Sequence, residues 1–174
     1  MIKKIIIPVF LLFLSSCSFG KVDTRGSVVD YKNGVVTTEG GSFAVGGLGP
    51  AWVKQSFDYK TILFKHSYHK ASISVDAFCK GSFDDASLGI MTNQLLYGLT
   101  NQKRSFQRKI KLDNHEALRT RATGAIDGIP VALDIVVLKM NECVFDFVYT
   151  SSPGQHLKLT SDFERFYQGF HFIQ

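Results

Sequence analysis

Apolar and polar residues alternate along most of this chain. From Ala71 to Cys79, Ile73, Val75 and Ala77 alternate with Ser72, Ser74 and Asp76, the period of a half-buried strand. Thr61 to His66 reads as a strand joined to it by a tight turn at Ser67-Tyr68-His69. Four further strands read as a meander: Ser105 to Leu112, Glu116 to Ala125, Ile129 to Lys139 and Cys143 to Thr150. Turn chemistry separates them at Asp113-Asn114, at Asp127-Gly128 and near Asn141. Val131, Leu133, Ile135 and Val137 share one face, and Cys143, Phe145, Phe147 and Tyr149 share another.

Two segments switch to the helical period. Leu88, Met91, Leu95 and Leu99 form one apolar stripe behind the caps Asp84-Asp85-Ala86-Ser87, and Gly98 and Asn101 mark its end. Ser161-Asp162-Phe163-Glu164 is a capping box, and Phe163, Phe166, Tyr167 and Phe170 form the aromatic face of the helix behind it. Phe170 to Ile173 reads as a closing strand. Nearer the start, Asn33-Gly34 between β-prone runs predicts a hairpin over 27–38, because both turn residues need positive φ. Gly40 to Pro50 is glycine-rich. It lacks the Lys-Ser/Thr ending of a phosphate loop and is expected to be a flexible connector.

Antiparallel runs with two helices make the expected fold class α+β, an antiparallel meander flanked by two helices. The expected division is a leader at 1–16, a tether with hairpin and linker at 17–50, and a single domain at 51–174. The element order, with the closing stretch from Phe145 to Phe172, resembles the PsbP-like fold of thylakoid-lumen extrinsic proteins and bacterial relatives. That resemblance implies a sheet flanked by helices and a non-catalytic binding or assembly role.

The first residues carry an address. Lys3 and Lys4 precede the apolar run Ile5 to Leu14, which is too short to span a bilayer core of about 30 Å and has the length of an export signal. Leu14-Ser15-Ser16-Cys17 resembles the lipobox of bacterial lipoproteins. The resemblance implies cleavage after Ser16, a diacylglyceryl group on Cys17, acylation of the new amine, and a membrane-held protein facing the periplasm. Two or three chains anchor firmly where one binds marginally. Ser18 rather than Asp after the lipidated position favours the outer membrane.

Composition narrows the remaining chemistry. The formal charge of +5 includes both leader lysines, so the mature balance is mildly positive and is no nucleic-acid signature. In an oxidising periplasm, Cys79 and Cys143 either pair as a disulfide or stay as two buried thiols. His66 and His69 with Cys79 suggest a metal set, but residues three apart on a strand point to opposite faces, and an exposed polar turn is the simpler reading. Asp134 and Asp146 lie inside apolar strands. A three-residue turn at Lys139 to Asn141 would set them opposite each other as an acid–base or cation-binding pair; the alternative is a solvated sheet face. No Gly-x-Ser-x-Gly occurs, and no His is placed beside Cys143.

Lys103, Arg104, Arg108, Lys109 and Lys111 form a basic cluster that Arg119 and Arg121 extend. It is either a solvated face or a dock for headgroups or an acidic partner. The expectation is therefore a non-catalytic interaction or assembly module of the cell envelope with an envelope protein partner, no metal and no cofactor. A second reading places a lipid or other apolar ligand among Phe145, Phe147, Tyr149, Phe163, Phe166 and Phe170, and a third is a small enzyme using Asp134 and Asp146.

Overall fold

The computed structural model describes residues 28–56, 61–79 and 85–173. The leader, Cys17, the tether up to Ser27 and the expected cap Asp84 lie outside the described residues. The strands are β1 (Val28–Lys32), β2 (Val35–Thr38), β3 (Gly41–Ala44), β4 (Trp52–Gln55), β5 (Ile62–His66), β6 (Ala71–Cys79), β7 (Thr100–Leu112), β8 (His115–Ile126), β9 (Ile129–Met140), β10 (Cys143–Ser151) and β11 (His171–Ile173). Helix α1 is Leu88–Leu95 and α2 is Thr160–Gln168, with a 3-10 segment at Pro153–Lys158. The fold is α+β.

Seven strands form one antiparallel sheet in the order β4-β5-β6-β10-β9-β8-β7. Its tight turns take positive φ at Asp113-Asn114, Asp127-Gly128 and Asn141-Glu142, as does the β1–β2 turn at Asn33-Gly34. Asn, Asp and Gly reach this region at low cost, so each turn fixes the register of the strands it joins.

The expected flexible connector is not one. Gly41–Ala44 is a strand, and β1-β2-β3-β11 form a second antiparallel sheet of four strands. This small sheet and α2 cover one face of the large sheet. Val36, Phe43 and Val45 sit in the same apolar cluster as Phe145, Phe147, Phe163 and Phe166. The physical reason is burial: Phe43 is 0% exposed, packed 4.9 Å from Phe145 and 5.4 Å from Phe170. The glycines permit close approach here, since a Cβ on Gly46 would meet the Arg165 carbonyl oxygen at 1.9 Å. The other face is covered by α1, where Met91 and Leu96 pack with Ala122, Leu133, Ile135, Val137 and Val144.

The helix caps differ from the sequence reading in one place. Ser87 caps α1, its hydroxyl accepting from the Ile90 N–H at 3.3 Å. In α2 the helix begins at Thr160, so Ser161 lies inside the first turn and caps nothing; Leu159 holds the cap position without a side-chain bond. Glu164, the other half of the expected box, is drawn instead to Arg119.

Candidate functional site

The basic residues of the meander divide into two rows with different fates. Arg119 and Arg121 on β8 turn toward α2, and Arg119 is 1% exposed. Its Nε and Nη2 donate to the two carboxylate oxygens of Asp134 at 2.9 and 2.7 Å, a bidentate pair. Arg121 Nη2 donates to the same Asp134 at 2.8 Å. Arg119 Nη1 donates to Glu164 at 2.7 Å and to the Tyr167 hydroxyl at 2.9 Å, tying α2 to the sheet. Burial opposes the charge on Arg119, but the bonds and charge of Asp134 and the bond to Glu164 outweigh it and hold its pKa above the ordinary value. A charge buried this way is tolerable because its donors are satisfied.

Asp134 and Asp146 are not brought together. The turn between β9 and β10 has two residues, Asn141-Glu142, so Asp134 lies opposite Tyr149 and Asp146 opposite Val137. Asp134 faces α2 beside Arg119, whereas Asp146 lies in the row of Val144 and Val148 that packs toward α1. The expected alternative of a solvated face is overturned as well, since Asp134 is 0% exposed and Asp146 is buried.

Asp146 has another partner, which the sequence reading missed. It lies directly opposite Asp76 across the β6–β10 pair. Thr61 Oγ1 donates to Asp76, and Asp146 Oδ1 is buried with no hydrogen-bond partner among the described residues. Burial raises the Asp76 carboxyl to about 6, against the bond from Thr61. Burial and then the charge of Asp76 raise Asp146 to about 7. Two carboxyls facing each other away from water resist ionising, and the charge of one opposes the charge of the other. An Asp at matching positions of two alternating strands was the available signal, but the pairing of β6 with β10 spans α1 and three strands and could not be read from spacing.

Cys79 and Cys143 are directly opposite on those same strands and joined by a disulfide, with Cα atoms 4.1 Å apart. No metal set of three or more His, Cys, Asp or Glu residues forms among the described residues. His66 and His69 do meet: the turn folds back so that their rings stack at 4.8 Å, and His66 Nδ1 accepts from the backbone N–H groups of Tyr68 and His69. Burial and the charge of His69 lower the His66 pKa. A cleft of about 320 Å³ opens beside them toward Ile129 and Val131.

His156 is buried and stacks on Tyr149 at 4.8 Å, with Ser151 Oγ 2.9 Å from its Nδ1. Burial, then the charge of Arg121, lowers its pKa to about 4, so it is neutral at ordinary pH. The six aromatic residues of the second reading fill the space between sheet and α2 with each other. Phe145 lies 5.0 Å from Phe170, Phe147 6.2 Å from Phe166 and Tyr149 5.7 Å from Phe163. This is packed core.

The second basic row is exposed. β7 lies at the edge of the large sheet and pairs only with β8 among the described strands. It carries Lys103, Arg104, Arg108, Lys109 and Lys111, all exposed, and no acidic residue. Arg104 donates to the Asn93 side chain at 2.6 Å, on the α1 side of the sheet. Lys109 reaches Glu116 at 3.0 Å, both largely solvated, a contact worth little. Arg108 lies opposite Arg119, on the α2 side, with its guanidinium 5.5 Å from the Phe106 ring. Lys109 and Lys111 point the other way, opposite Leu118 and Glu116. The strand therefore offers cations on both faces and, along its outer edge, backbone groups that no described strand takes up.

No family model matches the chain, and no curated protein matches it by sequence. Solved structures do match. The cyanobacterial PsbP protein CyanoP from Synechocystis sp. PCC 6803 is 11% identical over 92% of this chain and 99% of its own, with a TM-score of 0.54. LpqN, involved in cell envelope biogenesis of Mycobacterium tuberculosis, is 12% identical over 78% and 87%, with a TM-score of 0.55. PA94, a Pseudomonas aeruginosa protein of unknown function, is 16% identical over 80% and 93%, with a TM-score of 0.51. At such identities the likeness shows the fold, which is PsbP-like.

Proposed function

We propose that this chain uses its PsbP-like scaffold as a non-catalytic interaction or assembly module of the bacterial cell envelope. In this reading it is held on the periplasm-facing side of the outer membrane through lipid on Cys17. The observation that carries it is the division of charge. The buried pair Arg119 and Asp134 and the partly buried Arg121 and Glu164 are spent on one another, while an edge strand with five exposed cations faces outward. Ionic groups locked in mutual bonds hold a structure together, and an exposed single-sign strand is equipped to meet another molecule. The leader and its Leu14-Ser15-Ser16-Cys17 motif support the location, and an envelope role for LpqN fits it.

The test is fractionation and cross-linking of the full chain in its own envelope. Wild-type protein should incorporate labelled palmitate, sediment with outer membranes and cross-link reproducibly to one envelope protein. Cys17→Ser should lose label and sedimentation. Soluble, unlabelled wild-type protein would overturn the location, and a wild-type chain cross-linked to nothing in intact envelopes would overturn the interaction role.

A further inference from the structure

We propose that β7 is a docking strand that accepts an extended acidic segment of the partner by edge-to-edge β-addition. This rests on the interaction role above and specifies the partner's chemistry. The edge runs thirteen residues, from Thr100 to Leu112, and from Phe106 onward its pairing with β8 is regular. An added strand would bond to the outward N–H and C=O groups of this stretch, the standard mode of strand addition.

Charge selects the occupant. Among the described residues, Lys103, Arg108 and Lys111 make no ion pair, and Lys109 pairs only with the solvated Glu116. A row of cations on an edge deters pairing with a second copy of the same edge, because like charges would face each other. The same row favours a strand that carries acids, so one feature both repels the wrong neighbour and attracts the right one.

The arrangement also distinguishes a strand from a lipid surface. A flat layer of headgroups meets cations gathered on one face. Here Arg108 points to the α2 side while Lys109 and Lys111 point to the α1 side. An added strand projects its own side chains to both faces in alternation, within reach of both sets. Phe106, half-buried between Arg108 and Arg121, gives an apolar residue of that strand a place to rest.

The test uses the full lipidated chain in neutral nanodiscs and three additions: a nine-residue peptide built on a Glu-Glu-Val-Val repeat, which carries acids on both faces of a strand, its Gln-for-Glu counterpart, and anionic lipid in the disc. The Glu peptide is expected to bind with a Kd of about 10–100 μM and to weaken as salt rises. It should slow amide exchange selectively within Thr100–Leu112. The Gln peptide should bind at least about tenfold more weakly. A double variant, Arg108→Glu with Lys109→Glu, should keep the wild-type Tm, lose the Glu peptide and gain a Lys–Val peptide; Arg108→Lys with Lys109→Arg should keep Glu-peptide binding.

Equal binding of the Glu and Gln peptides, or Glu-peptide binding without protection of β7, would overturn the proposal. So would protection of β7 by anionic discs with no peptide effect, which assigns the edge to lipid. In each of these cases a surviving cross-link in intact envelopes leaves the interaction role standing, with its surface elsewhere.

Discussion

Two carboxylates buried in neighbouring strands meet opposite fates. Asp134 has two guanidiniums to neutralise it. Asp146 has only Asp76 opposite, and both carboxyls are pushed up, to about 7 and about 6, from an ordinary value of 3.8. A raised carboxyl pKa means that the folded chain binds protons the unfolded chain has released. Below about pH 4 both states are protonated and there is no penalty. As pH climbs through 4 to 7 the penalty grows, and above about 7 it is fully present. Stability should therefore be greater at pH 5 than at pH 8. Asp146→Asn keeps the shape of the protonated group and should stabilise the protein by about 2 kcal/mol at pH 8 while changing little at pH 4, flattening the profile. Urea melts of both proteins from pH 4 to 8 would check this; parallel profiles would contradict it.

At the scale of elements, short turns decide what faces what. The two-residue Asn141-Glu142 turn sets β10 against β9 in a register that sends Asp134 and Asp146 to opposite faces. One residue more in that turn would have moved every side chain of β10 across the sheet. The disulfide acts on another pair. Cys79 ends β6 and Cys143 begins β10, 64 residues apart, so the bond closes a loop containing α1 and the β7–β9 strands. In the chain-entropy account such a loop contributes about 4 kcal/mol. A Cβ on Gly40 would meet the two sulfurs at 2.8 and 2.9 Å, so the small sheet leans on the bond as well. Cys79→Ala with Cys143→Ala should lower unfolding free energy by about 3–4 kcal/mol, and reduction of the wild type should have a similar effect. A denaturant midpoint unchanged by reductant would show that the loop is held otherwise.

For the whole molecule the decisive contact is between the small sheet and the large one. The expected boundary at residue 51 leaves β1, β2 and β3 outside the domain, yet Val36 and Phe43 are 0% exposed against the aromatic core. Each such side chain contributes about 1.5–3 kcal/mol when fully buried, against a total stability of about 5–15 kcal/mol for a domain. A chain cut to residues 51–174 should therefore lose its fixed aromatic packing, seen as collapse of the near-ultraviolet circular dichroism and a non-cooperative melt. A sharp melt from that fragment would show that the small sheet is an appendage after all.

The sequence by itself determined the period of both helices and of every strand but β3 and β4, most of the turns and the α+β class. These are local properties: alternation decides which side chains share a face, and Asn-Gly or Asp-Gly decides where the chain reverses. What lay beyond the sequence was non-local. That Gly40 to Pro50 packs rather than dangles depends on Phe43 finding Phe145 and Phe170, a hundred residues or more away. That Arg119 and Asp134 neutralise each other depends on β8–β9 register and on Glu164 arriving from α2. That Asp146 faces Asp76 depends on β10 returning to β6 after three intervening strands. Opposite charges on neighbouring apolar strands hinted at the second of these; nothing near in sequence announced the third. Tertiary structure also split the basic cluster, folding Arg119 and Arg121 inward and leaving Lys103 to Lys111 on the edge, because only the register of β7 on β8 decides which cations the helix above can reach.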